Sequence, residues 1–217
     1  MNLRDRAFAC GVARLRGEPE DHLRELASAE HRATRTLRGA ELRRAIEETP
    51  PDLRDHFVEE LLGIAYPGVP LTVDYVPSHT TEIFHAFDAV GLGPDDTLVD
   101  VGSGLGKVVM LASMLTGARA RGIELDADLV PIAQSAAAAL GLERVSFEHA
   151  DARSAFVDDA TVLFFYLTFS GAALDGFLGR LRARPTRRLR ICGPPLDAPW
   201  LRPIAPPCSW LSVYELS

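Results

Sequence analysis

From Thr80 onward the spacing of apolar residues switches repeatedly between two periods. TTEIFHAFDAVGL (80–92) places Ile83, Phe84, Phe87 and Val90 on one helical face and stops near Gly91. DDTLVDV is a short apolar run bounded by polar residues, as expected of a buried strand. LGKVVMLASMLTGA then reads as a helix, RARGIEL as a strand, ADLVPIAQSAAAALG as a helix and RVSFEHA as a strand. ATVLFFYLTF continues as a strand, GAALDGFLGRLRA as a helix and RRLRICG as a strand. Strands alternating with helices predict an α/β fold with a Rossmann-like, doubly wound, mostly parallel sheet of seven strands. The remaining PPCSWLSVYELS has room for one or two closing strands, as in a terminal hairpin.

The first 66 residues follow another pattern. In EDHLRELASAEHRATRTLRGAELRRAIEE, residues Leu23, Leu26, Ala27, Leu37, Leu42, Ala45 and Ile46 recur at helical spacing, with Gly39 as a predicted break. TPPDLRDHFVEELLGI predicts a further helix capped by Thr49, with Phe57, Val58, Leu61 and Leu62 as its apolar stripe. The Pro- and Gly-marked stretch from Ala65 to Ser78 separates this part from the rest. The expected organisation is a helical N-terminal extension, 1–66, and a main domain, 67–217.

Composition narrows the classes. In 217 residues, a 47% hydrophobic fraction supports a folded core, and a net charge of −7 argues against a sequence-independent grip on nucleic acid. Lys107 is the one lysine; the other 22 basic residues are arginines, a bias expected of a GC-rich genome. Cys10, Cys192 and Cys208 have no metal-ligand spacing and suit free thiols in a reducing cytoplasm. No metal site, signal peptide or membrane span is expected.

The chemistry concentrates in LVDVGSGLGKVV (98–109). A glycine-rich turn after a strand lets backbone approach a ligand, and the next helix points its N-terminus there. Dinucleotide sites favour GxGxxG, but the third residue after Gly104 is Lys107. Glu124 ends the second strand, where a carboxylate can accept both ribose hydroxyls, and Asp151 follows the third. GxGxG after Asp100, with these two acids in order, resembles class I S-adenosylmethionine-dependent methyltransferases over about residues 73–217. The resemblance implies cofactor contacts from Asp100, Gly102, Ser103, Gly104, Gly106, Glu124 and Leu125. It also implies that Asp151 and the backbone of Ala152 meet the adenine.

Two finer likenesses point to an acceptor. DYVPSHTTEIF is similar to a YVP(S/T) segment of archaeal and mitochondrial protein-lysine methyltransferases. The non-SET histone-lysine methyltransferase has a comparable tyrosine-led segment and GSGxGxVV turn. The segment would cover the methionine end of the cofactor through Tyr75, Pro77 and Thr80. VLFFYLTFSG resembles the LYLLT strand end of the archaeal group, which implies that Tyr166, Leu167 and Thr168 line the substrate channel, with Tyr166 and Thr168 catalytic.

The expected activity is methyl transfer by in-line displacement to a protein lysine amine, leaving S-adenosylhomocysteine. A natural-product or metabolite methyltransferase is the alternative, followed by a non-catalytic cofactor-binding module. The partner is then a protein or a small-molecule acceptor. Residues 1–66 are expected to govern substrate access or to mediate dimerisation. No His–Asp pair that would serve as a base is evident in the sequence.

Overall fold

The computed structural model describes residues 35–64, 77–166, 168–184 and 189–216. Tyr75, Leu167, Cys10 and the expected boundary at residue 66 lie outside them. Seven strands form one sheet: β1 Thr97–Val101, β2 Arg119–Glu124, β3 Val145–His149, β4 Val162–Phe165, β5 Arg190–Gly193, β6 Leu201–Pro203 and β7 Ser212–Leu216. Their order is β3-β2-β1-β4-β5-β7-β6. The first five are parallel; β7 runs antiparallel to β5 and pairs with β6 as the expected terminal hairpin. The strand order reverses between β1 and β4, which opens a crevice beyond their carboxyl ends.

Side chains of a strand alternate between the two faces of the sheet. Leu98 of β1 and Phe164 of β4 face one core, whereas Val99, Val101, Leu163 and Phe165 face the other. The first core is covered by α3 Thr80–Val90, α4 Lys107–Thr116 and α5 Leu129–Ala139; the second by α6 Gly171–Arg182. By the same alternation Asp100 points with Leu98 into the first layer, and it is almost wholly buried.

Two helices precede these, α1 Gly39–Glu48 and α2 Arg54–Leu62. Their stripes, Leu42 and Ile46 with Val58, Leu61 and Leu62, enter the same core as α3 and α4. Gly39, with φ +54°, begins α1. Thr49 closes α1, its hydroxyl donating to Ala45 O at 3.0 Å, so it does not cap the next helix as its sequence position suggested. The prolines at 50 and 51 separate the two helices, and α2 begins only after Leu53. The Arg38 guanidinium donates to Leu140 O at 2.8 Å and fastens this end to the last turn of α5. Ile46 is fully buried. Ile46→Val should therefore lower stability by about 0.5–1.5 kcal/mol, seen as a lower denaturation midpoint at unchanged slope. No described helix is long and apolar enough to cross a membrane.

Candidate active site

The glycine turn lies at the carboxyl end of β1. Gly102, Gly104 and Gly106 all have positive φ, at +80°, +53° and +83°. The N–H groups of Gly102 and Ser103 both donate to Ile123 O, which presses the turn against β2. Gly122, inside β2, is small for a reason: a Cβ there would lie 2.5 Å from Ser103 Oγ. That hydroxyl is buried and has no hydrogen-bond partner among the described residues.

A cavity of about 40 Å³ opens beside the turn. Its walls are Asp100, Gly102, Ser103, Lys107 and Val108 from the turn, Pro77 and Ser78 before α3, and Tyr166 after β4. Burial pushes the Asp100 carboxyl well above the usual range, and the charge of Glu124 adds to this. A cation seated beside Asp100 would offset that cost and favour its ionised form, and the unpartnered Ser103 hydroxyl offers a further polar contact. The enclosed volume suits a short polar chain rather than a nucleoside. Next to it, however, Glu124 ends β2 and Leu125 stands 61% exposed, open to a flat ring.

Glu124 also braces the turn. Its Oε2 accepts from Gly104 N at 2.7 Å and its Oε1 from Asp126 N at 2.9 Å. Each carboxylate oxygen keeps acceptor capacity for a hydroxyl. Asp151 follows β3 at the same end of the sheet, where Ala150 N donates to Glu124 O at 2.9 Å. Its carboxylate accepts from the Arg153 side chain and backbone, and the Arg153 bond holds it below the usual carboxylate range. Ala152 is buried beside it.

The two residues predicted to be catalytic part company. Tyr166 lines the cavity; burial raises its hydroxyl above the ordinary value, and the nearby Glu82 charge adds to the shift. The Thr168 hydroxyl donates to Val101 O at 2.7 Å, and the side chain fills the space a Cβ on Gly102 would need, 2.7 Å from Oγ1. In this structure Thr168 is a clasp between β4 and the turn.

Five participants escaped sequence reasoning. Trp210, between β6 and β7, packs against Tyr166 with ring centroids 3.6 Å apart and the planes tilted by 43°. Lys107 opens α4 with its side chain only 4% exposed, and Nζ meets Asp55 Oδ1 at 2.7 Å and Glu59 Oε1 at 3.4 Å, both on α2. Asp55 Oδ1 also accepts from Thr80 N and Oγ1, at 2.7 and 2.6 Å, so Thr80 serves here as the start of α3. His79 Nδ1 lies 2.9 Å from Asp55 Oδ2, a His–Asp pair that no local pattern announced. Burial works to raise the Asp55 carboxyl, but the bonds from Lys107, Thr80 and His79 outweigh it and hold the group below its usual range. The one available signal was that the chain's single lysine falls in the glycine turn's helix.

Residues 75–169 match the family described as histone methylation protein DOT1. An RNA methyltransferase from Salinibacter ruber, solved with S-adenosyl-L-homocysteine, is 27% identical at a TM-score of 0.54, over 65% of this chain and 92% of that one. The chain has the class I methyltransferase fold and is an S-adenosylmethionine-dependent methyltransferase. The methyltransferase also resembles geranyl diphosphate C-methyltransferase from Streptomyces coelicolor A3(2), at 21% identity and a TM-score of 0.49 over 53% of this chain and 43% of that one. Precorrin-6y C5,15-methyltransferase from Geobacter metallireducens GS-15 shows 16% identity and a TM-score of 0.49 over 58% and 68%. No curated protein matches.

Within the methyltransferase, the buried Asp100, the free Ser103 hydroxyl and the glycine backbone fit the methionine end of S-adenosylmethionine. Glu124 and Leu125 fit its nucleoside. Bound there, S-adenosylmethionine supplies a methyl group already activated by a sulfonium. The protein's share is to hold, orient and exclude water. The described residues contain no cluster able to hold a metal ion.

Proposed function

We propose that the acceptor is the side-chain amine of a protein lysine. One observation carries this reading: an aromatic side chain backed by a second ring and by acid lines the cavity. Tyr166 lines it, Trp210 packs against Tyr166, and the buried Glu82 is near enough to disturb the Tyr166 hydroxyl. Aromatic faces and carboxylates attract a cationic amine, the rings contributing about 0.5–2 kcal/mol. The amine must lose its proton before attack. Water is the natural proton acceptor, and Tyr166, which lines the cavity, orients the nucleophile through its hydroxyl. The likeness of residues 75–169 to histone methylation protein DOT1 supports the same acceptor. The free thiols of Cys192 and Cys208 support a cytoplasmic setting.

An RNA acceptor is the second reading, favoured by the likeness to the Salinibacter ruber RNA methyltransferase. The net charge of −7 opposes it. The test is transfer of a labelled methyl group into a cell lysate, followed by separation into protein, RNA and small-molecule fractions. Label recovered as methyllysine after protein hydrolysis is expected. Label released by ribonuclease, or confined to small molecules, would replace the lysine reading with the corresponding one. Lys107 is the chain's only lysine and is salt-bridged, so self-labelling contributes little background.

Tyr166→Phe keeps the wall and removes only the hydroxyl. Loss of one neutral hydrogen bond of about 1 kcal/mol should lower kcat roughly five-fold. Calorimetric affinity for S-adenosylhomocysteine should stay within about two-fold, the pattern of an interaction felt mainly in the transition state. An equal loss in both would place the hydroxyl in cofactor binding instead.

A further inference from the structure

We propose that Lys107, with its partners on α2, sets how strongly the methyltransferase prefers its charged donor over its uncharged product. The proposal rests on the donor assignment above. Acidic groups cluster about the residues that line this pocket: Asp100 on β1 lines it, Asp55 and Glu59 on α2 bridge to Lys107, the charge of Glu82 on α3 acts on Tyr166, and that of Glu124 on β2 acts on Asp100. Lys107 is the cation set among them, and it lines the cavity together with Asp100 and Tyr166. His79 shares Asp55 with it.

S-adenosylmethionine carries one positive charge more than S-adenosylhomocysteine and is otherwise nearly the same in shape. The ratio of the two dissociation constants therefore reports the potential in the pocket and cancels most of what both ligands share. An acidic pocket without compensation would hold the sulfonium tightly. Lys107 offsets that field, and Asp55 and Glu59 temper Lys107 in turn. Their bridge also fastens α2 to the helix that follows the glycine turn, so the N-terminal helices take part in the setting.

Two variants push the ratio in opposite directions. Lys107→Met removes a positive charge and should raise the preference for S-adenosylmethionine; Asp55→Asn removes a negative one and should lower it. Each shift should be roughly four- to sixteen-fold, as for a unit charge about 10 Å away at an effective dielectric constant of about 20–40. Lys107→Arg keeps the charge and should leave the ratio near that of the unaltered protein. The measurement is calorimetric titration with each ligand at pH 6.5.

A purely structural bridge would weaken both ligands alike and leave the ratio in place. Shifts of opposite sign support the proposal; an unmoved ratio, or shifts of the same sign, overturns it. Glu59→Gln, at the longer contact, should lower the ratio less than Asp55→Asn and serves if either buried variant fails to fold. Should the unaltered protein bind neither ligand, the donor assignment itself falls, a result distinct from a ratio that does not move.

Discussion

Gly106→Ala should destabilise the protein by about 2–5 kcal/mol and remove measurable affinity for S-adenosylhomocysteine. Two independent costs meet at this residue. Its φ of +83° lies in the left-handed region, which costs an L side chain about 1–2 kcal/mol. An added Cβ would also stand 2.4 Å from Phe147 Cζ and 2.5 Å from Cε1, so either the ring or the start of α4 must move. Overpacking of this kind costs about 1–3 kcal/mol. Phe147 is itself confined, because it also fills the space beside Gly122. A shift of α4 would carry Lys107 and the cavity wall with it. Gly141→Ala is the control: φ there is +64°, with nothing within 4 Å of the added atom. Only the backbone cost should appear at Gly141, and the difference in unfolding free energy isolates the clash. Equal losses at the two positions would mean that Phe147 yields freely and the close packing is unimportant.

That contact illustrates what sequence patterns convey and what they do not. The alternation of helix and strand was legible because each element's period reflects a local geometry. The terminal hairpin was legible from the little chain left after β5. Glu124 was legible because its place at a strand's carboxyl end follows from chain order alone. Gly106 was legible as a turn glycine, but its collision with Phe147 was not. The two residues belong to different βα units and meet only when β3 is laid beside β2.

The same reason explains the site's hidden members. Asp55 and Lys107 are 52 positions apart, and neither carries a local signature of the other. Trp210 falls in a connection between closing strands and reaches Tyr166 only because β7 inserts beside β5. Thr168 was read from a family-like strand end as a channel residue, whereas its hydroxyl is directed to Val101 O. A threonine at a strand end satisfies its hydroxyl on the nearest free carbonyl, and residue type alone does not say which. The N-terminal helices resemble no motif, yet they bring the carboxylates that neutralise the buried lysine. Their removal should therefore disturb the cofactor pocket through the lost partners of Lys107.

Glu124→Ala should weaken S-adenosylhomocysteine binding by about ten-fold to a hundred-fold, as expected when charge-assisted hydrogen bonds of about 1.5–3 kcal/mol are lost. One task of this carboxylate is seen in the structure and the other is expected of it, and a single affinity value would confuse them. It is placed to accept ribose hydroxyls, and it also holds the turn through Gly104 N and Asp126 N. Comparing S-adenosylhomocysteine with its 2′-deoxy analogue separates the two. In the unaltered protein the missing hydroxyl should lower affinity, because one acceptor interaction disappears. In Glu124→Ala the two ligands should bind almost equally, since the partner of that hydroxyl is already gone. Loss of the turn's brace would weaken both ligands together and leave their ratio unchanged from the unaltered protein. If the deoxy penalty persists in the variant, Glu124 is a brace only, and the ribose must be read by another group. If the penalty vanishes while overall affinity also falls, both tasks are real, and the residual loss of the deoxy ligand measures how much the brace contributes.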